Sequence, residues 1–544
     1  MKNANDKVLF WASFLTLIAA GIGFSMRGAL LGVWGGQFGF TQGELGTISG
    51  FGLVGFGITI IALSFITDRI GYGPLMVLAF LLHFSSGVVT LAATPVCNAM
   101  GGAAGGGKEW AFRCLAAGGL LFSLANGTCE AVINPLTATL FPTNKTHWLN
   151  ILHAGWPGGL VLGALLGLVF SQLGAVSPLI KERWEIQMGM FLVPVLIYGG
   201  MMIGRRFPTS EAAAAGVGLK TMLLEFAAPV LLLLLALHAI VGYTELGVDN
   251  WIQNITGSIM SSGDLAKILF IWTSGLMFVL RFFAGPIVHR ISPLGLLFAC
   301  AVLACLGLLS LGSIPTQPGQ TTFVVVALCF LAATVYGVGK TFFWPTMLGV
   351  VSERFPKGGA LTLGTIGGIG MLSAGLLGAP GIGKEQDYFA QKKLDETAEG
   401  KAAYARYVET PKEDTGGGSL KFLQDPNIFN LLFPEVRGLD GSKVATLASD
   451  GANLKEEENK SLYDWWQRAK EHAGVDRVPV LSAVIYSGQM ALIVTAANPA
   501  VLALGYLFLI VLFRLRGGYK AEVLVGHKAK DEEFTGGVAG PAEL

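Results

Sequence analysis

Apolar stretches of about twenty residues recur from one end of this chain to the other, and each is long enough as a helix to cross roughly 30 Å of hydrocarbon. They fall near 9–33, 44–66, 74–94, 111–140, 150–173, 186–204, 221–245, 265–288, 294–314, 323–349, 360–381 and 487–514. None alternates with the period of a barrel strand, and in lipid a helix satisfies its own backbone. No water-soluble core absorbs so much apolar sequence: 52% of the 544 residues are hydrophobic, 13% are charged and mean hydropathy is +0.60, against about 25% charge in ordinary soluble domains. The expected fold class is an all-α membrane protein of about twelve transmembrane helices. The first run follows Lys2 and Lys7 as a signal peptide would, but it exceeds an h-region and further spans follow at once.

Lys2, Lys7, Arg69, Lys145, Arg205, Arg206, Lys220, Arg290, Arg354, Lys357, Arg514, Arg516 and Lys520 fall on one side of this arrangement; the opposite loops carry little beyond Lys108, Lys181 and Arg183. The positive-inside rule makes the richer side cytoplasmic and puts both termini there, in a cytoplasmic (inner) membrane. The expected domains are an N-terminal six-helix bundle (1–205), a cytoplasmic linker (206–220), spans 7–11 (221–383), an extracytoplasmic insertion (384–478), span 12 (479–517) and a cytoplasmic tail (518–544). Within the insertion, Tyr463 to His472 reads as a short amphipathic helix that lies on the membrane, closes over a pore or decorates the surface. The net charge of +1 gives no reason to expect nucleic acid as a partner; the lipid bilayer and a small solute remain. Four of the six cysteines, Cys129, Cys300, Cys305 and Cys329, lie in apolar runs as packing residues.

The two halves repeat each other. Span 2 ends Phe65-Ile66-Thr67-Asp68-Arg69-Ile70-Gly71 and span 8 ends Pro286-Ile287-Val288-His289-Arg290-Ile291-Ser292. Span 4 carries Gly127, Glu130, Asn134 and Pro135, and span 10 carries Gly337, Lys340, Trp344 and Pro345 at the same spacing. Each is followed by a Phe-Pro turn (Phe141-Pro142, Phe355-Pro356) and a glycine-rich span. Three matched elements in one order imply two pseudo-symmetric six-helix bundles rocking about a midplane site.

The loop Asp68, Arg69, Gly71 resembles the signature between spans 2 and 3 of the major facilitator superfamily, although Tyr72, Gly73 and Pro74 stand where basic residues are usual. The run Asn126 to Pro135, followed by Leu149 to Leu152, resembles the fucose permease branch of sugar:proton symporters. The resemblance implies a secondary transporter whose spans 1, 4, 7 and 10 line a central cavity, and a gating loop made of Asp68, Arg69 and Gly71 with its counterpart Arg290. It implies symport of a small polar solute, a sugar or sugar derivative, coupled to a proton or to sodium.

Ionisable groups inside spans cost about 2.5–3.5 kcal/mol on insertion scales and normally face a cavity with partners. Arg27, Glu130, Glu245 and Lys340 put one such group on each of spans 1, 4, 7 and 10, with Asp249 nearby. They are expected to form a polar ring around the solute, with Glu130 carrying the proton; the competing reading is structural ion pairs or snorkelling side chains. Arg281 on span 8 reads as structural. His153 and Trp156 depart from the branch, which resembles glutamine and asparagine there; an imidazole at His153 either packs or binds a hydroxylated solute. Trp251, Asn254 and Trp344 offer stacking faces and amide donors, or an interfacial belt. The branch's span-1 acid aligns near Ser25, with Arg27 two residues on, so a sugar acid or other organic anion clamped by two bases, or an exchanger, is the alternative substrate reading. A membrane receptor or scaffold that binds through the external insertion is the alternative from another class. The segment Gly337 to Thr341 resembles the end of a phosphate-binding loop but lacks its first glycine, and no nucleophile–base or metal-ligand arrangement stands out; neither an enzyme nor a cofactor is expected. Glycines at 155, 159, 163 and 167, and at 364, 368, 370 and 375, point to close helix packing and sliding faces.

Overall fold

The computed structural model describes residues 2–40, 42–103, 106–177, 183–408, 436–452, 454, 460–522 and 524. Among these, twelve helical stretches are long and apolar enough to span a membrane: Ala4–Phe38, Gly52–Ile70, Tyr72–Leu91, Gly107–Leu140, Lys145–Phe170, Trp184–Met202, Pro229–Met260, Gly263–Arg281, Ala284–Gly312, Phe323–Arg354, Pro356–Leu394 and Ser461–Leu515. We number them spans 1 to 12. No named strand occurs among the described residues, where the only pairing is one isolated bridge, Val408 with Leu439.

Span 7 departs from its expected limits of 221–245 at both ends. Residues Leu219–Glu225 form a separate short helix, Ala228 is extended at ψ 119°, and Pro229 opens the span at its first turn. The helix then passes through a π-turn, Tyr243–Gly247, and continues over Val248–Met260, where Val248, Ile252, Ile255 and Ile259 are buried on one face. Glu245 and Asp249 therefore sit in the interior of the span, and Trp251 and Asn254 lie on the same helix. Span 11 carries a matching π-turn, Ala374–Gly378. The two turns press together through glycine: a Cβ on Gly247 would lie 2.8 Å from the Cα of Gly378.

Spans 1 to 6 pack as one bundle, with span 1 on spans 5 and 6, and span 4 on spans 2 and 3. Spans 7 to 12 pack as a second, with span 9 on spans 10 and 12, and span 11 on spans 7 and 12. The bundles meet through span 2 against span 11 and span 5 against span 8. An exchange of 2 with 8 and 5 with 11 converts one pairing into the other, as the repeat predicts. The repeat also appears in the backbone: Gly71 has φ 87°, ψ 165° and Ser292 has φ 62°, ψ 162°, so both halves end their second helix with the same left-handed turn.

The glycine rows divide between two jobs. Gly155, Gly159 and Gly163 are closed against the backbone of span 1, which locks the first bundle internally. Gly364, Gly368 and Gly375 face Ser64, Ile61 and Val54 of span 2, at the seam between bundles.

Span 11 continues to Leu394 and, within span 12, the long helix that enters the bundle starts at Ala473, so the polar segment is bracketed by helical extensions. Its described helices, Ala398–Tyr407, Gly441–Ala448 and Lys460–Ala469, share a small core of Tyr407, Leu447, Trp466 and Ala469 with Ala473 and Val480. Trp466, on the expected amphipathic helix, is buried in that core. Arg406 grips Asp476 with both ends of its guanidinium, at 2.8 and 2.5 Å.

Candidate functional site

Span 4 puts Glu130 and Asn134 one turn apart on the face toward span 5. The amide of Asn134 donates to Glu130 Oε2 at 2.5 Å, and its Oδ1 lies 2.9 Å from Nε2 of His153 on span 5. An amide oxygen only accepts, so Nε2 carries the ring hydrogen in this arrangement. The same Nε2 stands 3.9 Å from Glu130 Oε2. All three side chains are buried.

The chain of contacts continues across the seam. Arg281 of span 8, 1% exposed, donates to the carbonyl of His153 at 2.6 Å and to that of Thr341 at 2.7 Å, and pairs with Glu245 at 3.2 Å. The π-turn that holds Glu245 turns the Thr244 carbonyl toward the phenol of Tyr336, which donates to it at 2.7 Å. Lys340, next to Thr341, is paired with Asp249, one turn beyond Glu245. This second pair borders a small void, with room for about one water, lined also by Thr256, Thr273 and Tyr336.

The expected ring is thus rearranged. Glu130 and Glu245 belong to one linked cluster and Lys340 adjoins it, but Arg27 stands apart inside the first bundle. Its guanidinium bonds Ser86 at 2.8 Å and lies 4.1 Å over the ring of Phe122. Arg281, read from sequence as structural, occupies the centre instead. Its place rests on a reach between bundles that spacing along one helix does not encode. Trp251 donates to the Ala379 carbonyl at 2.7 Å and so braces span 7 against span 11, and Asn254 is exposed. Trp344 is buried with its ring 4.6 Å from that of His238.

At the end of the bundles that carries the Asp68 turn, the two halves are sealed. Asp68 accepts from the backbone N–H of Ala360 at 2.8 Å, at the start of the helix Gly359–Ser373, where helix-end polarity favours an anion. Lys145 reaches Glu211 at 2.7 Å and the Ser352 carbonyl at 3.1 Å, while Asn150 donates to Thr346 at 3.1 Å. The end of the described chain lies over this seal: Tyr519 donates to Glu353 at 2.7 Å, Arg354 pairs with Glu522 at 3.1 Å, and the N–H of Leu524 donates to Glu211 at 3.0 Å. Gly71 forms the turn beside Asp68; Arg69 and Arg290 are exposed.

Two linked six-helix bundles, closed on one side and joined by buried charges near mid-span, define a polytopic transporter of the rocking type. The model of the Major Facilitator Superfamily matches residues 13–381, and the chain belongs to that family. No curated protein matches the sequence. Among solved structures, the proton:xylose symporter of E. coli is similar at 16% identity, covering 69% of this chain and 87% of that one, with a TM-score of 0.55. A bacterial homologue of the human lysosomal transporter Spinster is similar at 13% identity over 93% of this chain and 98% of that one, with a TM-score of 0.54. The E. coli fucose:proton symporter is similar at 14% identity over 67% of this chain and 97% of that one, with a TM-score of 0.46.

Proposed function

We propose that this transporter carries a neutral polar solute, a sugar or sugar derivative, together with a proton by alternating access. The observation that carries the reading is the pairing of charges in the cluster. Each buried base already has an acid, Arg281 with Glu245 and Lys340 with Asp249, while Glu130 has the Asn134 amide and the His153 ring. One carboxyl is left over, and a buried carboxylate without a cation is costly, so a proton is its natural partner. A neutral solute then moves without disturbing either ion pair.

A second reading rests on the cavity beside Lys340 and Asp249: a sugar acid or other organic anion would displace Asp249 from Lys340 and take its place. Uptake by proteoliposomes separates the readings. Labelled xylose and fucose, against glucuronate and galacturonate, are offered with an inward proton gradient, with an inward sodium gradient and with neither. Accumulation of a neutral sugar that collapses with the proton gradient supports the proposal; anion uptake, sodium dependence, or binding without flux sinks it in favour of the carboxylate reading, a sodium symporter or a receptor. Flux in inside-out against right-side-out vesicles tests the expected orientation, with both termini cytoplasmic.

A further inference from the structure

Among the described residues three histidines are deeply buried, and two of them have hydrogen-bond partners. His83 holds Tyr198 at Nδ1 and Asn126 at Nε2, both at 2.9 Å, and His153 holds Asn134. His238 of span 7 is 0% exposed, and neither of its ring nitrogens has a partner among the described residues. Its ring is wedged between Trp344 and the backbone of Gly370, where a Cβ would lie 2.9 Å from His238 Cδ2. A buried unpaired polar group costs about 1–3 kcal/mol, and an apolar residue of similar size would remove that cost.

The place of His238 suggests what it serves. At 1.5 Å per residue it lies about 14 Å in from the cytoplasmic end of its helix, level with His153 at about 12 Å, Glu130 at about 15 Å and Trp344 at about 15 Å in theirs. His153 belongs to the first bundle and His238 to the second. Titratable groups on the helices packed against span 7 include Arg281 of span 8, Tyr336, Lys340, Glu353 and Arg354 of span 10, Glu385 of span 11, and Tyr506 and Arg514 of span 12, with Tyr243, Glu245 and Asp249 on span 7 itself. The stretch Gly359–Ser373 of span 11, which faces His238, contributes none.

We propose that His238 is a second station for the coupling proton, the group that takes it up from the Glu130–His153 pair and yields it to cytoplasmic water when the bundles part. In the sealed state its two nitrogens face no partner; opening the inner half exposes them. Over one cycle Glu130 takes up one proton from the outer side and gives it up, His238 gains and then loses that proton, and both groups end as they began. The inference rests on the proton-symport reading above and adds the residue through which release occurs.

The test compares full-length His238→Leu and His238→Gln with wild type and Glu130→Gln in proteoliposomes, using labelled xylose and fucose. Both His238 variants are expected to lose proton-driven accumulation by about tenfold or more, on the scale of removing a proton-transfer group, while counterflow, which moves no net proton, falls less than about threefold. His238→Leu is also expected to melt at a higher temperature than wild type, because it removes the two unpaired atoms. Full accumulation in both variants reduces His238 to packing and overturns the proposal. Rescue by glutamine, which hydrogen-bonds but does not carry a proton, assigns it to solute binding and overturns it too, as does equal loss of counterflow. Independently of any sugar, NMR of isotope-labelled histidine, with the His238 signal identified by its loss in His238→Gln, should show this ring gaining a proton on acidification; a ring that stays neutral overturns the proposal. Normal accumulation by Glu130→Gln would instead refute the underlying symport mechanism, whatever the His238 variants do.

Discussion

The hydroxyl of Thr146 donates to Glu353 Oε1 at 2.6 Å and the backbone N–H of Thr146 donates to the same oxygen at 3.1 Å, tying the first turn of span 5 to the last turn of span 10. Both bonds cross between bundles, and separation of the bundles at this end breaks them. Hydrogen bonds to charged groups are worth about 1.5–3 kcal/mol each, so Glu353→Ala should shift the population toward a state open at this end by at least about tenfold. Spin labels at Arg69→Cys and Arg290→Cys, both exposed and one on each bundle, with the native cysteines replaced, should report a longer distance in Glu353→Ala. An unchanged distance distribution would remove Glu353 from the seal.

The strap from Tyr519 to Leu524 uses the same two carboxylates that hold the first bundle, Glu353 and Glu211. Burial, and then the charge of Glu353 beside it, hold the Tyr519 phenol well above its ordinary range. The phenol therefore keeps its hydrogen as pH rises through neutrality, and this contact does not titrate away. Ending the chain after Gly518 should lengthen the same label distance at every pH tested, in the direction of Glu353→Ala but by a smaller amount. A shift that appears only in alkali would contradict this account.

Lys340 and Asp249 form a pair in which one partner is fully enclosed and the other partly so. Removing one member of such a pair leaves an uncompensated charge, at a cost of about 3–5 kcal/mol, whereas replacing both by apolar residues is often neutral. Asp249→Asn should therefore lower the melting temperature markedly, and Asp249→Leu combined with Lys340→Met should restore most of it. If the double variant melts no higher than the single one, the pairing does not explain the buried lysine.

Arg27 touches Ser86 and Phe122 rather than the charge cluster. Its replacement by glutamine should cost about 1–3 kcal/mol of stability and leave the ratio of protons to solute unchanged. A changed ratio would place Arg27 back among the groups that couple transport.

Much of this architecture was legible because lipid imposes a simple code. A helix must be long and apolar, and repeated halves keep repeated helix ends, as Gly71 and Ser292 still do. Span 7 was misjudged at both ends because polar residues between Val248 and Met260 mask a helix whose apolar face is buried, and because Pro229 rather than the earlier apolar run starts it. The charged residues were identifiable as costly, but their partners were not. Glu130 and Lys340 hold equivalent places in the repeat, yet one is held by Asn134 and the other by Asp249, since partnership is decided by packing between helices. The partners of Arg281 were hidden for the same reason, since it reaches across the seam, and His238 is conspicuous only once its nitrogens are found without partners.

Proton movement accompanying sugar uptake in Glu130→Gln tests the central claim most directly. With external pH recorded on addition of xylose or fucose to de-energised vesicles, wild type should alkalinise the medium as protons enter with the sugar. Glu130→Gln should exchange sugar in counterflow with no alkalinisation; a wild-type proton signal from that variant would contradict the account.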